Sequence, residues 1–284
     1  MSWKKFYRKN KADLHVHTTA SDGKYLPREV VKIAWKKGVS FLAITDHDTI
    51  TGLEEAYQEC RKYQVVFYPG IELSTNYENR EIHLLGYNLN WTSHELQENL
   101  AQLQAARKIR VEKMVSKLSE RGIPIKLEDV RKKATGQSMG RPHIALVLLE
   151  LGMVKSIDEA MRLYLSPGCP AYVSRYRISP LAALKLIHKA GGMPVLAHPG
   201  IECPDELIPV LIKNGLQGIE VFHPKHTKKQ EDFYAQLAQT NQLMITGGSD
   251  FHGHEEKDFF NLGEMKVPLN SIRQLKKNSC SGRL

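Results

Sequence analysis

Short apolar runs recur seven times along the chain, at 12–17, 40–45, 65–69, 81–87, 193–197, 217–222 and 243–247, and most are separated by amphipathic stretches. Apolar runs alternating with helical periodicity are the signature of βα units laid around a parallel sheet or barrel. In Pro27–Lys37 the apolar residues Val30, Val31, Ala34 and Trp35 fall on a helical face, and in Leu181–Lys189 so do Leu184, Ile187 and His188. Pro27 and Pro180 mark helix starts, Gly38 and Gly191 helix stops. Nearly every run ends in an ionisable residue: His15 and His17, Asp46 and His47, Glu72, His198, His223, then Asp250 and His252, while His83 comes from within 81–87. Barrels carry their functional side chains at the C-terminal ends of the strands, so such a ring converges on one point.

One stretch breaks the alternation. From Ser93 to Ser179 the pattern is helical throughout, with breaks at Gly122-Ile-Pro, Thr135-Gly136 and Pro167-Gly168. A crossover between strands needs only about a dozen residues, so this block reads as an inserted lid or cap. The expected organisation is a discontinuous barrel, 10–92 and 180–275, with a helical cap domain at 93–179.

With 284 residues and 42% hydrophobic content, the chain can bury a sizeable core. The opening MSWKKFYRKNKADLHV does not read as a signal peptide, and no apolar run is long enough for a membrane span, so the expected location is the cytoplasm. Cys60, Cys169, Cys203 and Cys280 are scattered without a CxxC pair and read as reduced bystanders. The net charge of +9 suits an acidic partner such as a phosphate or nucleic acid, although short lysine runs are usually solvated faces.

Asp13, His15 and His17 fall at strand period and share one face, with Leu14 and Val16 on the other. Ser21-Asp22-Gly23, Thr45-Asp46-His47-Asp48, Gly70-Ile-Glu72 and Gly248-Ser-Asp250-Phe-His252-Gly253 add carboxylates and imidazoles. Imidazole with carboxylate suits divalent zinc, manganese or iron, and the donors exceed one ion's needs. Two or three metals sharing a carboxylate are therefore expected.

The ordered segments DLHVHTTASDG, ITDHDT, GIEL, IHLLGY, LAHPG, GIEVFHPKH and GGSDFHG resemble the polymerase-and-histidinol-phosphatase (PHP) family of phosphoesterases, over Ala12 to Gly253. Gly140-Arg-Pro-His-Ile-Ala145 and AYVSRYRISP resemble the inserted domain of its nucleotide-dephosphorylating branch. The resemblance implies a distorted seven-stranded (β/α) barrel with up to three metals at its mouth. His15, His17, Glu72 and Asp250 would hold the first, with Glu72 bridging to a second completed by His83 and His198. Asp22, His47 and His252 would hold the third, and Asp22 stands where some members place a histidine.

Three divalent ions against Glu72, Asp22 and Asp250 leave a site of roughly +3, which attracts a phosphate monoester. A water shared between metals would lose a proton near neutral pH and attack phosphorus. Candidate phosphate clamps are Arg175, Arg177, His223 and His226. Arg141 and His143 would reach sugar or base from the cap, or Arg141 would simply start a helix. Asp13 and Asp46 are expected to orient ligating imidazoles by accepting their free N–H, whereas His94, His188 and His254 read as structural or solvent-facing.

The leading expectation is a phosphatase acting on a small nucleotide, a nucleoside 3',5'-bisphosphate or monophosphate, with no membrane association and no obligate protein partner. A 5'-to-3' exonuclease on short RNA or DNA ends is the alternative. Histidinol phosphatase and a non-catalytic binding module rank below both.

Overall fold

A computed structural model describes residues 11–78, 80–134, 138–173 and 178–278. All seven expected strands form: β1 (Lys11–Asp13), β2 (Val39–Ile44), β3 (Val66–Tyr77), β4 (Arg80–Tyr87), β5 (Met193–Leu196), β6 (Gly218–Phe222) and β7 (Met244–Gly247). They make one sheet in sequence order. Pairing is parallel except on the two sides of β4, which runs antiparallel to both β3 and β5. The chain after β1 closes the sheet on β7: the Leu14 N–H donates to the Gly247 carbonyl at 3.3 Å and the His17 N–H to Phe251 at 2.9 Å. Val16 bridges Phe251 in parallel register. The result is a distorted barrel.

Two strands differ from expectation. β1 stops at Asp13, so His15 and His17 project from a segment tied to its neighbours only at single residues. β3 continues through Pro69-Gly70 to Tyr77, because Gly70–Tyr77 pairs residue by residue with β4. Proline and glycine read as a stop, yet this long hairpin overrides them. Glu72 therefore lies within a strand and not at its end.

Helices α1 (Pro27–Lys36) and α2 (Leu53–Tyr63) cover one side of the barrel. Val30, Val31 and Ala34 of α1 are buried as the periodicity requires, whereas Trp35 is 43% exposed and leans on Tyr63, ring centroids 4.7 Å apart. Helix α3 (His94–Ser119) opens the helical segment, followed by α4 (Leu127–Lys133), α5 (Arg141–Glu150), α6 (Ile157–Ala160) and a π-helical turn, Met161–Leu165. The chain then returns through α7 (Pro180–Lys189), α8 (Pro199–Glu202), α9 (Leu207–Lys213), α10 (Lys228–Thr240), α11 (Glu256–Asn261) and α12 (Leu269–Asn278). Among the described residues, no helix is long and apolar enough to cross a membrane. Cys60, Cys169 and Cys203 carry no disulfide.

The barrel interior draws Ala12, Ala43, Tyr68, Leu85, Val195 and Met244 from six strands. Ile272 and Leu275 of α12 join that cluster and close the end away from the histidines. A separate apolar core lies wholly within the helical segment, where Val111, Met114, Leu118, Ile144, Leu148 and Leu165 interlock. Each such side chain stabilises by roughly 1.5–3 kcal/mol when fully buried. Helix α3 belongs to both regions: Leu96, Leu100 and Leu103 pack in the layer outside β3 and β4, and Val111, Met114 and Leu118 in the helical core. The expected boundary at residue 93 thus falls before a helix that the barrel still shares.

Candidate metal centre

Glu72 sits at the centre of the barrel mouth, 1% exposed. Its Oε2 lies 3.3 Å from His15 Nε2, 3.2 Å from His17 Nε2 and 3.1 Å from His47 Nδ1. Its Oε1 lies 2.8 Å from His83 Nδ1 and 3.0 Å from His198 Nε2. Backbone pairing explains part of this convergence, since the Glu72 N–H donates to Asp46 and the Asp48 N–H to Glu72, which brings His47 alongside.

Asp250 Oδ1 completes one group, 3.5 Å from His15 Nε2 and 3.2 Å from His17 Nε2. Four ligands about 2.1 Å from a tetrahedral ion stand about 3.4 Å apart, which matches the spacing of these contacts. A second group gathers around Asp22, with His252 Nε2 at 3.4 Å, His17 Nδ1 at 3.7 Å and His47 Nε2 at 3.8 Å. Altogether four overlapping sets of donor atoms lie within coordinating reach: His15, His17 and Asp250; His15, Glu72 and His198; His47, Glu72 and His83; and His17, Asp22, His47 and His252. The nine residues expected as ligands are therefore brought together, and the Asp22 set gains His17 as a fourth member.

Eight buried side-chain atoms of His15, His17, Asp22, His47, Glu72 and His83 make no hydrogen bond. A buried polar atom without a partner costs about 1–3 kcal/mol, so a folded chain would not leave this many together unless something else satisfied them. Divalent cations do so, and the donor set suits them. Burial alone would raise the Glu72 carboxyl, but the His47, His83 and His15 imidazoles overcome it and hold the group well below the usual carboxylate range. Asp22 and Asp250 are likewise held well below, against burial, by His47 and His252 and by His15 and His252 respectively.

The surroundings fix these side chains. Glu220, fully buried on β6, lies 3.0 and 3.1 Å from His15 Nδ1 and accepts the His198 N–H at 2.9 Å. It does what was expected of Asp13 and Asp46. Asp13 instead accepts backbone N–H groups of Ser249 at 2.9 Å and Gly263 at 2.8 Å. Asp46 accepts the Thr18 N–H and hydroxyl, both at 2.7 Å, and the Ser21 hydroxyl at 2.5 Å, so it shapes the loop that carries Asp22. His198, Asp250 and Asp48 hold φ of 26°, 53° and 51°, a conformation costing a non-glycine residue about 1–3 kcal/mol. Gly248 admits His15, because a Cβ there would stand 2.2 Å from the His15 Cβ.

The expected substrate contacts fare unevenly. His223 Nδ1 accepts the Lys225 N–H at 3.2 Å, which leaves Nε2–H to donate to Asp250 Oδ2 at 3.4 Å; His223 positions a carboxylate. His226 is not available as a clamp, because Nδ1–H donates to the Val221 carbonyl at 2.9 Å and Nε2 accepts the Gly200 N–H at 3.1 Å. His143 accepts the Gly140 N–H at 3.0 Å and caps α5. Arg141 pairs with Glu81, whose other oxygen lies 3.4 Å from His83 Nε2. Arg175 and Arg177 lie outside the described residues. Of the histidines expected to be structural, His254 Nε2 lies 2.7 Å from the Asp22 carbonyl, His188 Nε2 2.8 Å from that of Gly215, and exposed His94 faces Glu98.

A cavity of about 220 Å³ opens onto Asp22, His47, His83 and His252, and Arg107, Arg141 and Lys225 supply cations to its wall. The sequence reading missed Arg107, which crosses from α3 into the barrel. Its Nε donates to Asp48 Oδ2 at 2.6 Å and its Nη2 to the Ser74 hydroxyl at 2.8 Å. Nothing distinguishes it in the basic helix QAARKIRVEK. Glu220 did carry a signal, since a lone carboxylate within the apolar strand Gly-Ile-Glu-Val-Phe needs a buried partner.

Residues 13–121 match the PHP domain. A 5'-3' exoribonuclease of Haemophilus influenzae is 35% identical over 247 residues, covering 85% of this chain and 90% of that protein. The chain belongs to the PHP family. A second relative, the 3',5'-nucleoside bisphosphate phosphatase of Chromobacterium violaceum, is 34% identical over 250 residues, 86% of this chain and 88% of its own length. A solved Bifidobacterium adolescentis structure, assigned as a metal-dependent phosphoesterase, superposes with a TM-score of 0.89 at 29% identity, covering 95% of this chain and 97% of that one. As a PHP protein this chain is a hydrolase and a metal-dependent phosphoesterase.

Proposed function

We propose that this PHP protein removes a terminal phosphate from a small nucleotide, a nucleoside 3',5'-bisphosphate or a nucleoside monophosphate. Two or three divalent ions, manganese, iron or zinc, would be held by His15, His17, Asp22, His47, Glu72, His83, His198, Asp250 and His252. The observation that carries the reading is Glu72, one buried carboxylate within 3.3 Å of five imidazoles. Ions at these positions supply water activation and neutralise charge on the phosphoryl oxygens. The chain's own residues do the rest. Arg141 and Lys225 face the phosphoryl group from the cavity wall, and Arg107, fixed by Asp48, adds positive field from behind. A cavity of about 220 Å³ suits a phosphate with its sugar and excludes a folded polymer.

A second reading, a 5'-to-3' exonuclease acting on RNA or DNA ends, is favoured by one specific observation. A larger cleft of about 680 Å³ adjoins the loop that carries Asp22, and lysines line it. The experiment that separates the readings uses purified, manganese-loaded protein. Phosphate release from 3'-phosphoadenosine 5'-phosphate, AMP and histidinol phosphate is compared with mononucleotide release from a 5'-phosphorylated RNA oligomer. Turnover of the bisphosphate or AMP is expected; oligomer trimming with negligible bisphosphate hydrolysis would promote the nuclease, and no turnover of any substrate would sink the phosphoesterase assignment of this site.

A further inference from the structure

The cleft of about 680 Å³ lies between the barrel and the helical segment and plays no part in the metal centre. Thr19, Gly23, Lys24, His254 and Glu255 wall it from the barrel, the Glu255 carboxylate being neutralised by Lys257 at 2.6 Å, and Lys133 and Lys155 are among the residues that wall it from the helical side. Clefts between packed units are preferred ligand sites, and this one carries four lysines. Lys132 and Lys133 are occupied, with Asp129 at 3.5 Å and Glu150 at 2.8 Å. Lys24 and Lys155, both exposed, have no ion pair with any described carboxylate. They approach the cleft from opposite walls, one from the barrel loop and one from the segment before α6.

The position matters as much as the charge. The loop 18–24 presents Asp22 to the metal centre on one side and Gly23 and Lys24 to the cleft on the other. His254, in the cleft wall, lies 2.7 Å from the Asp22 carbonyl. An anion in the cleft therefore sits one loop away from the metal pocket. A strand whose terminal phosphate ester occupies that pocket carries its next phosphates outward at regular spacing, and a cleft one loop away, whose Lys24 and Lys155 have no ion pair among the described residues, is where they would lie. A free mononucleotide has no group to put there.

We infer that this cleft holds the phosphodiester backbone of a single-stranded polynucleotide whose 5' end lies in the metal pocket, with Lys24 and Lys155 as the backbone contacts. The inference rests on the exonuclease reading and adds to it the path of the strand. It is a charge contact without base readout, so it is independent of sequence and dependent on salt.

The test is the double substitution Lys24→Glu with Lys155→Glu, alongside the milder Lys24→Gln with Lys155→Gln. Both positions are exposed, and unfolding temperature and metal content check that the fold survives. Binding of a fluorescent 5'-phosphorylated RNA oligomer with hydrolysis-resistant phosphorothioate linkages is followed by anisotropy in the metal-loaded protein, and trimming of the unmodified oligomer is followed in the same protein. The charge reversal is expected to weaken oligomer binding by at least about tenfold, and losing two phosphate contacts should lower the slope of log affinity against log salt by about 1.4. The glutamine pair should produce an intermediate loss. Hydrolysis of 3'-phosphoadenosine 5'-phosphate should stay within about twofold of the parent, because that substrate does not reach the cleft.

Oligomer binding with unchanged affinity and salt slope in the double variant overturns the inference, and so does a parent protein that binds no oligomer. An equal fall in oligomer and bisphosphate turnover also overturns it, since the lysines would then serve the metal pocket itself. Lysine-dependent oligomer binding by a protein that hydrolyses no phosphate ester would leave the strand path standing and remove the activity.

Discussion

The barrel mouth and the helical segment are built on opposite terms. At the mouth, five imidazoles crowd one carboxylate, eight polar atoms go without hydrogen bonds, and three non-glycine residues hold positive φ. The helical core is an ordinary apolar interior of Val111, Met114, Ile144, Leu148 and their neighbours. A region that concentrates strain and unsatisfied polarity does so for chemistry, whereas the helical segment, where far fewer described buried side-chain atoms lack a hydrogen bond, is built as scaffold. On this contrast we propose that bond breaking belongs to the barrel and the shape of the substrate space to the helices, with Arg107 as one of the polar links between them.

Glu72→Gln attacks the barrel half most directly. Removing the shared charge should lower kcat by at least about a thousandfold and reduce bound metal measured by elemental analysis; near-parental turnover would break the comparison. Arg107→Ala tests the link. It leaves the buried Asp48 carboxylate without its guanidinium, so unfolding free energy should fall by about 3–5 kcal/mol in a denaturant titration. A loss below 1 kcal/mol, roughly what an exposed pair contributes, would mean that the two regions are not tied here.

Glu220→Gln is a subtler probe, because an amide can still accept from His15 but carries no charge. Metal affinity is expected to drop about 10–100-fold with the fold intact, and unchanged affinity in a competition titration would remove Glu220 from its assigned role. The smallest effect belongs to His226→Ala. Losing its two backbone contacts should cost about 1–3 kcal/mol of stability, while KM for the phosphate ester stays within about twofold of the parent. A large rise in KM would restore His226 as a phosphate clamp.

Much of this was legible in residue order, and the failures have physical causes. Alternating apolar runs with ionisable ends located all seven strands and gathered the expected donors at one mouth. β3 was cut short because Pro69-Gly70 imitates a loop, and only pairing with β4, a tertiary fact, carries the strand through to Tyr77. Adjacency in sequence points Asp13 and Asp46 to imidazoles, yet Asp13 serves backbone N–H groups and Asp46 a backbone N–H and two hydroxyls. Glu220 serves His15 from 205 residues away. The sequence points His143 and His226 at substrate, but backbone atoms take up Nδ1 of the first and both ring nitrogens of the second. A sequence shows which groups can bond and leaves open which partner arrives first.

Helix α3 belongs to two cores at once, Leu96 to Leu103 in one and Val111 to Leu118 in the other. Its 26 residues form one rod of about 39 Å, so neither core can melt without loosening a helix that the other needs. Heating should therefore give a single calorimetric transition in place of two. For the same reason the helical segment is not an exchangeable cassette: a graft from a relative that begins at residue 93 replaces part of the barrel's own outer layer along with the segment it means to transplant.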